Sequence, residues 1–277
     1  MIKTLDNFKI VTKDGKIFDM ANDFGVLVKK LTIFSPKPQI YTETSDNING
    51  SIRLGKTWGE RKIIAECSSF AVDSYDYALL RNKLFQIFMI LDEFYLIVDS
   101  EPGKRWLVEV SDEWDPSKIG TYSDFMLNFI SHSSFSESIG TTLDPLTFDA
   151  ELWQIGQGLL ADDLIYKLNT NTFKIYNAGD ETIDPEKFPL IIKYQGESNN
   201  LQIKNLTTLN TWTYNGSTAA GESIEINRTR SLKNGIVPVF GDTNRKLIKL
   251  APGWNDFELV GAVGSFEISF DFRFYYF

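Results

Sequence analysis

The last stretch of the chain, SFEISFDFRFYYF, alternates without a break. Phe266, Ile268, Phe270, Phe272, Phe274 and Tyr276 fall on one face, with Glu267, Ser269, Asp271 and Arg273 on the other. That period of two predicts a strand with one buried face. The same kind of signal recurs through the second half of the chain in TFKIYN, LIIKYQ, LQIKNL, TWTYNG, SIEINR, RKLIKL and DFELVG. Turn-formers separate these runs: Gly196 to Asn200, Asn215-Gly216, and Ala251-Pro252-Gly253. Short strands at intervals of roughly 8–12 residues predict a β-sandwich or jelly roll.

The first half is mixed. Tyr77, Leu80, Leu84, Ile87, Phe88 and Leu91 recur at three- and four-residue steps, which predicts one helix over about 74–91, capped by Asp73 or Ser74. LVKKLTIF (Leu27 to Phe34) reads as a strand that stops at Ser-Pro-Lys-Pro, because proline cannot donate to a ladder. RKIIAECSSF (Arg61 to Phe70) and FMLNFI (Phe125 to Ile130) read as strands. FYLIVD and RWLVEVSD flank a Pro-Gly turn and predict a hairpin. Between Phe34 and Arg61 the chain is polar, with a turn signal at Asn49-Gly50. A long hairpin or arm over about 35–61 is expected there.

SHSSFSESIGTTLDP (Ser131 to Pro145) is crowded with Ser, Thr and Gly, so it reads as a linker or exposed loop. A boundary near Gly140 gives two domains, 1–140 and 141–277. The 277 residues suit that count, since a domain takes roughly 100–200 residues. The fold class is therefore mainly β: an α+β N-terminal domain with one helix, then a β-sandwich. The aromatic content of 14 % points the same way.

Charge and chemistry narrow the function. The net charge is -9, and the small basic pairs Lys29-Lys30 and Lys104-Arg105 make no stripe for phosphates, so direct nucleic-acid binding is not expected. No apolar window reaches the ~20 residues of a membrane helix, and the N-terminus has no signal-peptide core. A soluble chain, made in a cytoplasm, is the expectation. Cys67 lies in an apolar run and reads as an inert buried thiol. His132, the only histidine, sits in the serine-rich seam, a poor place for a general base. One His and one Cys build no zinc site. No catalytic residue, cofactor or metal is assigned.

A glycine pattern, Gly156, Gly158 and Ala161 with Asp180 downstream, superficially fits a dinucleotide site. Asp162 and Asp163 would place negative charge at the anion-binding helix end, and no βα alternation follows. Paired carboxylates on a β scaffold are a further alternative, but 37 acidic residues make chance pairs abundant. Trp153, Trp212 and Trp254 offer faces for a sugar ring, or serve the core.

Taken in order, a set of segments resembles a known family. They are NGSIRLGKTWGERKI (49–63), the helix followed by FYLIVDSEPGKRWLVEV (94–110), TTLDP, WQIGQGLL (153–160), FKIYNAGDETIDPEKFPLIIKYQG (173–196), LAPGWNDFEL (250–259) and the aromatic closing strand. Together they resemble the distal tail proteins of siphophages. The resemblance implies a virion structural protein made in the bacterial host and placed at the tail tip. Its N-terminal domain would form a homohexameric ring that joins the tail tube to the baseplate, and its C-terminal domain would be a galectin-like sandwich. The implied partners are the tail tube protein, the tape-measure protein, and a tail-associated lysin or receptor-binding protein. Pro36, Pro38, Trp58 and Arg61 are the candidate inter-subunit arm residues. Asn177, Gly179 and Asp180 would be a strand-to-strand connection. Carbohydrate binding by the sandwich is the alternative function. The second half lacks histidine, and with it the His-Asn-Arg set of sugar-binding galectins.

Overall fold

A computed structural model describes residues 3–46, 49–90, 92–159 and 164–277. Leu91 of the helical stripe, Ala161 of the glycine pattern, and Asp162 and Asp163 lie outside the described residues. The molecule is mainly β and divides into two compact units, Met1–Ser136 with Phe277, and Glu137–Tyr276.

The strands of the first unit are β1 Phe8–Val11, β2 Ile17–Asp19, β3 Val26–Ile33, β4 Pro38–Glu43, β5 Ile52–Trp58, β6 Arg61–Phe70, β7 Phe94–Val98, β8 Lys104–Val110, β9 Ser117–Ile119 and β10 Tyr122–Ser131. They pair antiparallel in the order β2-β1-β7-β8-β10-β6-β3, with β9 on β10 and with β4 and β5 paired only to each other. Every second residue of β6 and β10 faces inward. Ile63, Ala65, Cys67, Phe125, Leu127 and Phe129 thereby join Phe8, Ile10, Phe94 and Leu96 in one core. Burial pushes the Cys67 thiol up to about 12, so a thiolate is disfavoured there.

Residues 8–25, to which the hydrophobic pattern assigns no element, supply the β1–β2 hairpin and a five-residue helix, α1 Met20–Phe24. Asp19 caps α1 and Gly25, at φ 64°, ends it. Helix α2, Ser74–Ile90, closes the core with Tyr77, Leu84 and Phe88 buried. Asp73 is its cap: the carboxylate accepts from the backbone N–H of Tyr75 and Asp76. Among the described residues the N-terminal unit thus has two α-helices where the pattern predicts one.

In the second unit the strands are β11 Ser136–Ser138 (which begins at the boundary), β12 Lys167–Leu168, β13 Thr172–Asn177, β14 Leu190–Asn205, β15 Asn210–Thr213, β16 Ser217–Thr218, β17 Ser223–Asn227, β18 Arg230–Lys233, β19 Val237–Pro238, β20 Gly253–Phe272 and β21 Tyr275–Tyr276. Apart from β11 and β21, which pair with each other, they form a sheet that runs β12-β20-β14-β17-β18-β19, with β13 also on β20, and β15 and β16 also on β14. Two long strands organise it. LIIKYQ and LQIKNL, expected as separate strands, are one continuous β14, and DFELVG is continuous with SFEISFDF in β20. The turn-formers from Gly196 to Asn200 bend a strand rather than end one. Register shifts fall between Gly196 and Glu197 and between Ser198 and Gln202.

The bend is sharp. Phe257 and Phe270 both belong to β20, and a straight strand would separate them by roughly 43 Å at ~3.3 Å per residue. Their ring centroids are 5.0 Å apart. β14 and β20 therefore fold back together, and one sheet supplies both layers of a sandwich. Phe173 packs between the layers, on Phe257 at 5.3 Å and on Phe270 at 5.8 Å.

Two further expectations are corrected. RKLIKL is not a strand: Leu250 makes an isolated bridge to Ile183. Asparagine side chains hold this stretch instead. The Asn205 amide donates to Lys249 O at 2.7 Å. Asn255 accepts from Ala251 N–H and donates to Ala251 O. Side-chain amides thus replace a backbone ladder. The Ser131–Pro145 seam is not an exposed linker. Ser134, Ser136, Ser138 and Thr142 are buried, the first three at alternate positions. The Ser138 hydroxyl donates to Gly140 O, and the Thr142 hydroxyl to Phe270 O. Small polar side chains can be buried when each finds such a partner.

Candidate functional site

The arm is the part of the first unit with no core of its own. β3 ends before Pro36, and β6 begins at Arg61. Between them β4 and β5 form a two-stranded ribbon with Pro38 opposite Trp58, Ile40 opposite Lys56 and Glu43 opposite Ile52. Asn47 and Ile48 lie outside the described residues. The root is pinned by backbone bonds, Phe34 N–H to Lys62 O at 2.9 Å and Gly59 N–H to Lys37 O at 2.8 Å. The Ser134 hydroxyl adds a bond to Gly59 O at 2.7 Å.

Above the root the ribbon is bare. Ile40, Tyr41, Ile52 and Leu54 are all exposed, Leu54 at 64 %. An isolated two-stranded hairpin is marginal in water, and clustered exposed apolar side chains mark a surface that protein covers. The arrangement suits docking and offers no chemistry.

The four candidate arm residues all lie at or near the root. Pro36 is buried and Pro38 is exposed at the start of β4. Trp58 ends β5, with Lys56 Nζ 3.8 Å from the centre of its ring and the Phe277 ring 5.9 Å away. Arg61 opens β6, is only 7 % exposed, and lies over the Trp106 ring at 4.9 Å. Burial pulls its guanidinium below the ordinary arginine pKa, against the field of Glu101.

A second apolar surface escapes the helical stripe argument. Val72, Tyr75, Leu79 and Met89, on α2 and just before it, and Phe70 and Ile119 in the sheet, are each at least 60 % exposed. The signal is present in SYDYALLRNKLFQIFMI, which carries apolar residues all round the helix. Such a helix is normally covered on both sides.

The other candidates resolve into structure. Gly156 and Gly158 lie in a turn, and a Cβ on Gly158 would stand 2.7 Å from Ala178 O. The Asn177 side chain donates to Glu181 O and accepts from Gly179 N–H, so this stretch is a strand-to-strand connection. Gly179 is needed for close approach to the Tyr275 backbone, 2.6 Å from a hypothetical Cβ, rather than for an unusual φ. Trp153 and Trp212 are buried, and Trp153 donates to Pro145 O. Trp254 is 43 % exposed and packs on Tyr176 at 4.9 Å. His132 pairs with Glu109 at the surface, 2.9 Å away. Among the described residues no group of three or more His, Cys, Asp or Glu is placed to hold a metal ion, and no helix is long and apolar enough to cross a membrane.

Residues 13–131 match the model of the phage tail protein RIFT-related domain. The match falls within the first unit. Over nearly its whole length the chain has the fold of the SPP1 Dit (gp 19.1) protein, described as a paradigm of the hub adsorption apparatus in phages that infect Gram-positive hosts. That likeness has a TM-score of 0.69 at 13 % identity and covers 96 % of this chain and 99 % of the other. Weaker likenesses connect it to chains of the phage p2 baseplate in its activated conformation. With Sr, the TM-score is 0.47 at 11 % identity, covering 96 % and 97 % of the two chains. With Ca, it is 0.46 at 10 % identity, covering 97 % of each. No curated protein matches the chain by sequence.

Proposed function

We propose that this chain is a distal tail protein, a structural component of the virion that forms a homohexameric ring at the end of a siphophage tail. The observation that carries the proposal is the pairing of a phage tail family domain with a full-length hub fold. The ring joins the tail tube to the baseplate or tip. Its partners are other copies of itself, the tail tube protein, the tape-measure protein, and a tail-associated lysin or receptor-binding protein. The bare β4–β5 ribbon reaches a neighbouring copy. The C-terminal unit is a galectin-like sandwich that serves as an attachment platform, and the protein is not an enzyme. The chain is made in the cytoplasm of the bacterial host and ends in the virion.

Two features support a scaffold over a sugar-binding role. Trp153 and Trp212 are committed to the interior, which leaves Trp254 as the one exposed tryptophan of the second unit. The first unit exposes apolar side chains along the ribbon and on α2, a surface suited to a protein partner. Gold-labelled antibody against the purified chain should decorate virions at the tail end distal to the capsid. Label on the capsid, along the tail shaft or on no virion would count against the proposal.

A further inference from the structure

Arg61 is a charged group with little exposure and, among the described residues, no acid paired to it. It is 7 % exposed, and its Nε is sealed from solvent with no hydrogen-bond acceptor. Among the described residues no carboxylate pairs with it; its contact is the face of Trp106 at 4.9 Å. The acids nearby are already taken. Lys104 holds Glu101 at 3.2 Å, Lys37 lies 3.9 Å from Glu60, and His132 holds Glu109 at 2.9 Å. A guanidinium stays protonated at any ordinary pH, so the charge persists in the folded chain. A buried ion is normally paired, because desolvation without a partner is costly.

We infer that Arg61 is a socket for a carboxylate side chain carried in by a second copy of this chain. The two terminal nitrogens of the guanidinium, pre-oriented by stacking on an indole, suit bidentate recognition of a carboxylate. The position argues for a protein-borne acid over a free anion. Arg61 sits at the root of the arm, where Ile40, Ile52 and Leu54 already present apolar surface for protein to cover. A second copy can supply the acid, since each copy brings 37 acidic side chains against 28 basic ones. In a closed ring every copy both receives an acid at its own Arg61 and donates one to its neighbour. This inference rests on the ring reading above.

The test compares wild type with Arg61→Met and Arg61→Lys by sedimentation over a range of concentrations, in low and high salt, with melting temperature measured alongside. Arg61→Met should melt at or above the wild-type temperature while assembling at least ~tenfold more weakly, the loss of one charge-assisted contact, and its residual assembly should no longer weaken between moderate and high salt. Arg61→Lys should fall between the two, since it keeps the charge and loses the fork. A wild type that assembles beside an Arg61→Met chain that assembles equally well, with the same salt response, overturns the socket and leaves the ring standing. An Arg61→Met chain that melts lower but assembles as wild type assigns Arg61 to the Trp106 stack alone. A wild type that never assembles overturns the ring reading itself, and the socket with it.

Discussion

At the scale of single residues, backbone crowding and side-chain amides hold the second unit together where regular ladders stop. A Cβ on Gly179 would stand 2.6 Å from Tyr275 O and 2.7 Å from Tyr275 N. Those are main-chain atoms, and the Asp180 N–H already bonds the same carbonyl at 2.8 Å. Gly179→Ala should therefore cost roughly 1–3 kcal/mol by overpacking, read from urea denaturation. In the first unit Asp124 accepts from Lys29 at 2.6 Å, from Ser68 at 2.5 Å and from the Tyr122 hydroxyl. The Lys29 bond leads these three in lowering its carboxyl to about 2. A depressed acid stabilises the fold above its unfolded pKa and loses that contribution as pH falls through the folded one. The window is therefore about pH 4 down to about pH 2. Asp124 is 47 % exposed, so screening keeps the effect under about 1 kcal/mol. Asp124→Asn should show a urea midpoint below wild type at neutral pH, with the gap closing as pH falls through that window. A gap that stays constant would assign the loss to packing.

At the scale of elements, burial by alternation was legible in the chain. Ile63, Ala65 and Cys67 in β6, Ile268, Phe270 and Phe272 in β20, and Tyr77, Leu84 and Phe88 in α2 all face inward, as their spacing predicts. What resisted reading has physical causes. Ser134, Ser136, Ser138 and Thr142 look like linker residues, but their burial depends on hydrogen-bond partners that can be distant in sequence, such as Phe270 O. Gly196 to Asn200 carries a turn signature, and the same chemistry serves a bend within a strand. Residues 8–25 have too short a periodic run to declare the β1–β2 hairpin and α1. The β4–β5 hairpin was legible from the prolines and the Asn-Gly pair. Its bareness was not, because exposure depends on what the rest of the fold leaves uncovered. The root bonds Phe34 to Lys62 at 2.9 Å, so the ribbon can be excised across a short gap. Replacing residues 36–60 by a tight turn should change stability by roughly 1 kcal/mol or less, mainly the Trp58–Phe277 contact, while abolishing self-association. A large fall in melting temperature would contradict an arm that the first unit does not need for folding.

At the scale of the whole molecule, the uncovered ribbon, the exposed face of α2 and the buried Arg61 are the features on which the proposed assembly rests. A formal charge of -9 opposes association of like copies at low ionic strength, so the contacts of the proposed ring would have to outweigh that repulsion by burying apolar surface and by pairing charge locally. Moderate salt should accordingly favour the assembled state by screening the long-range repulsion, while high salt weakens the contribution of Arg61. The most direct measurement is the solution mass of the purified chain by light scattering across a concentration series, with negative-stain images of the same samples. A hexameric hub gives a species of about six times the 31.6 kDa chain mass, seen as closed rings. A monomer of 31.6 kDa at every concentration and salt, with no ring-shaped particles, would contradict it.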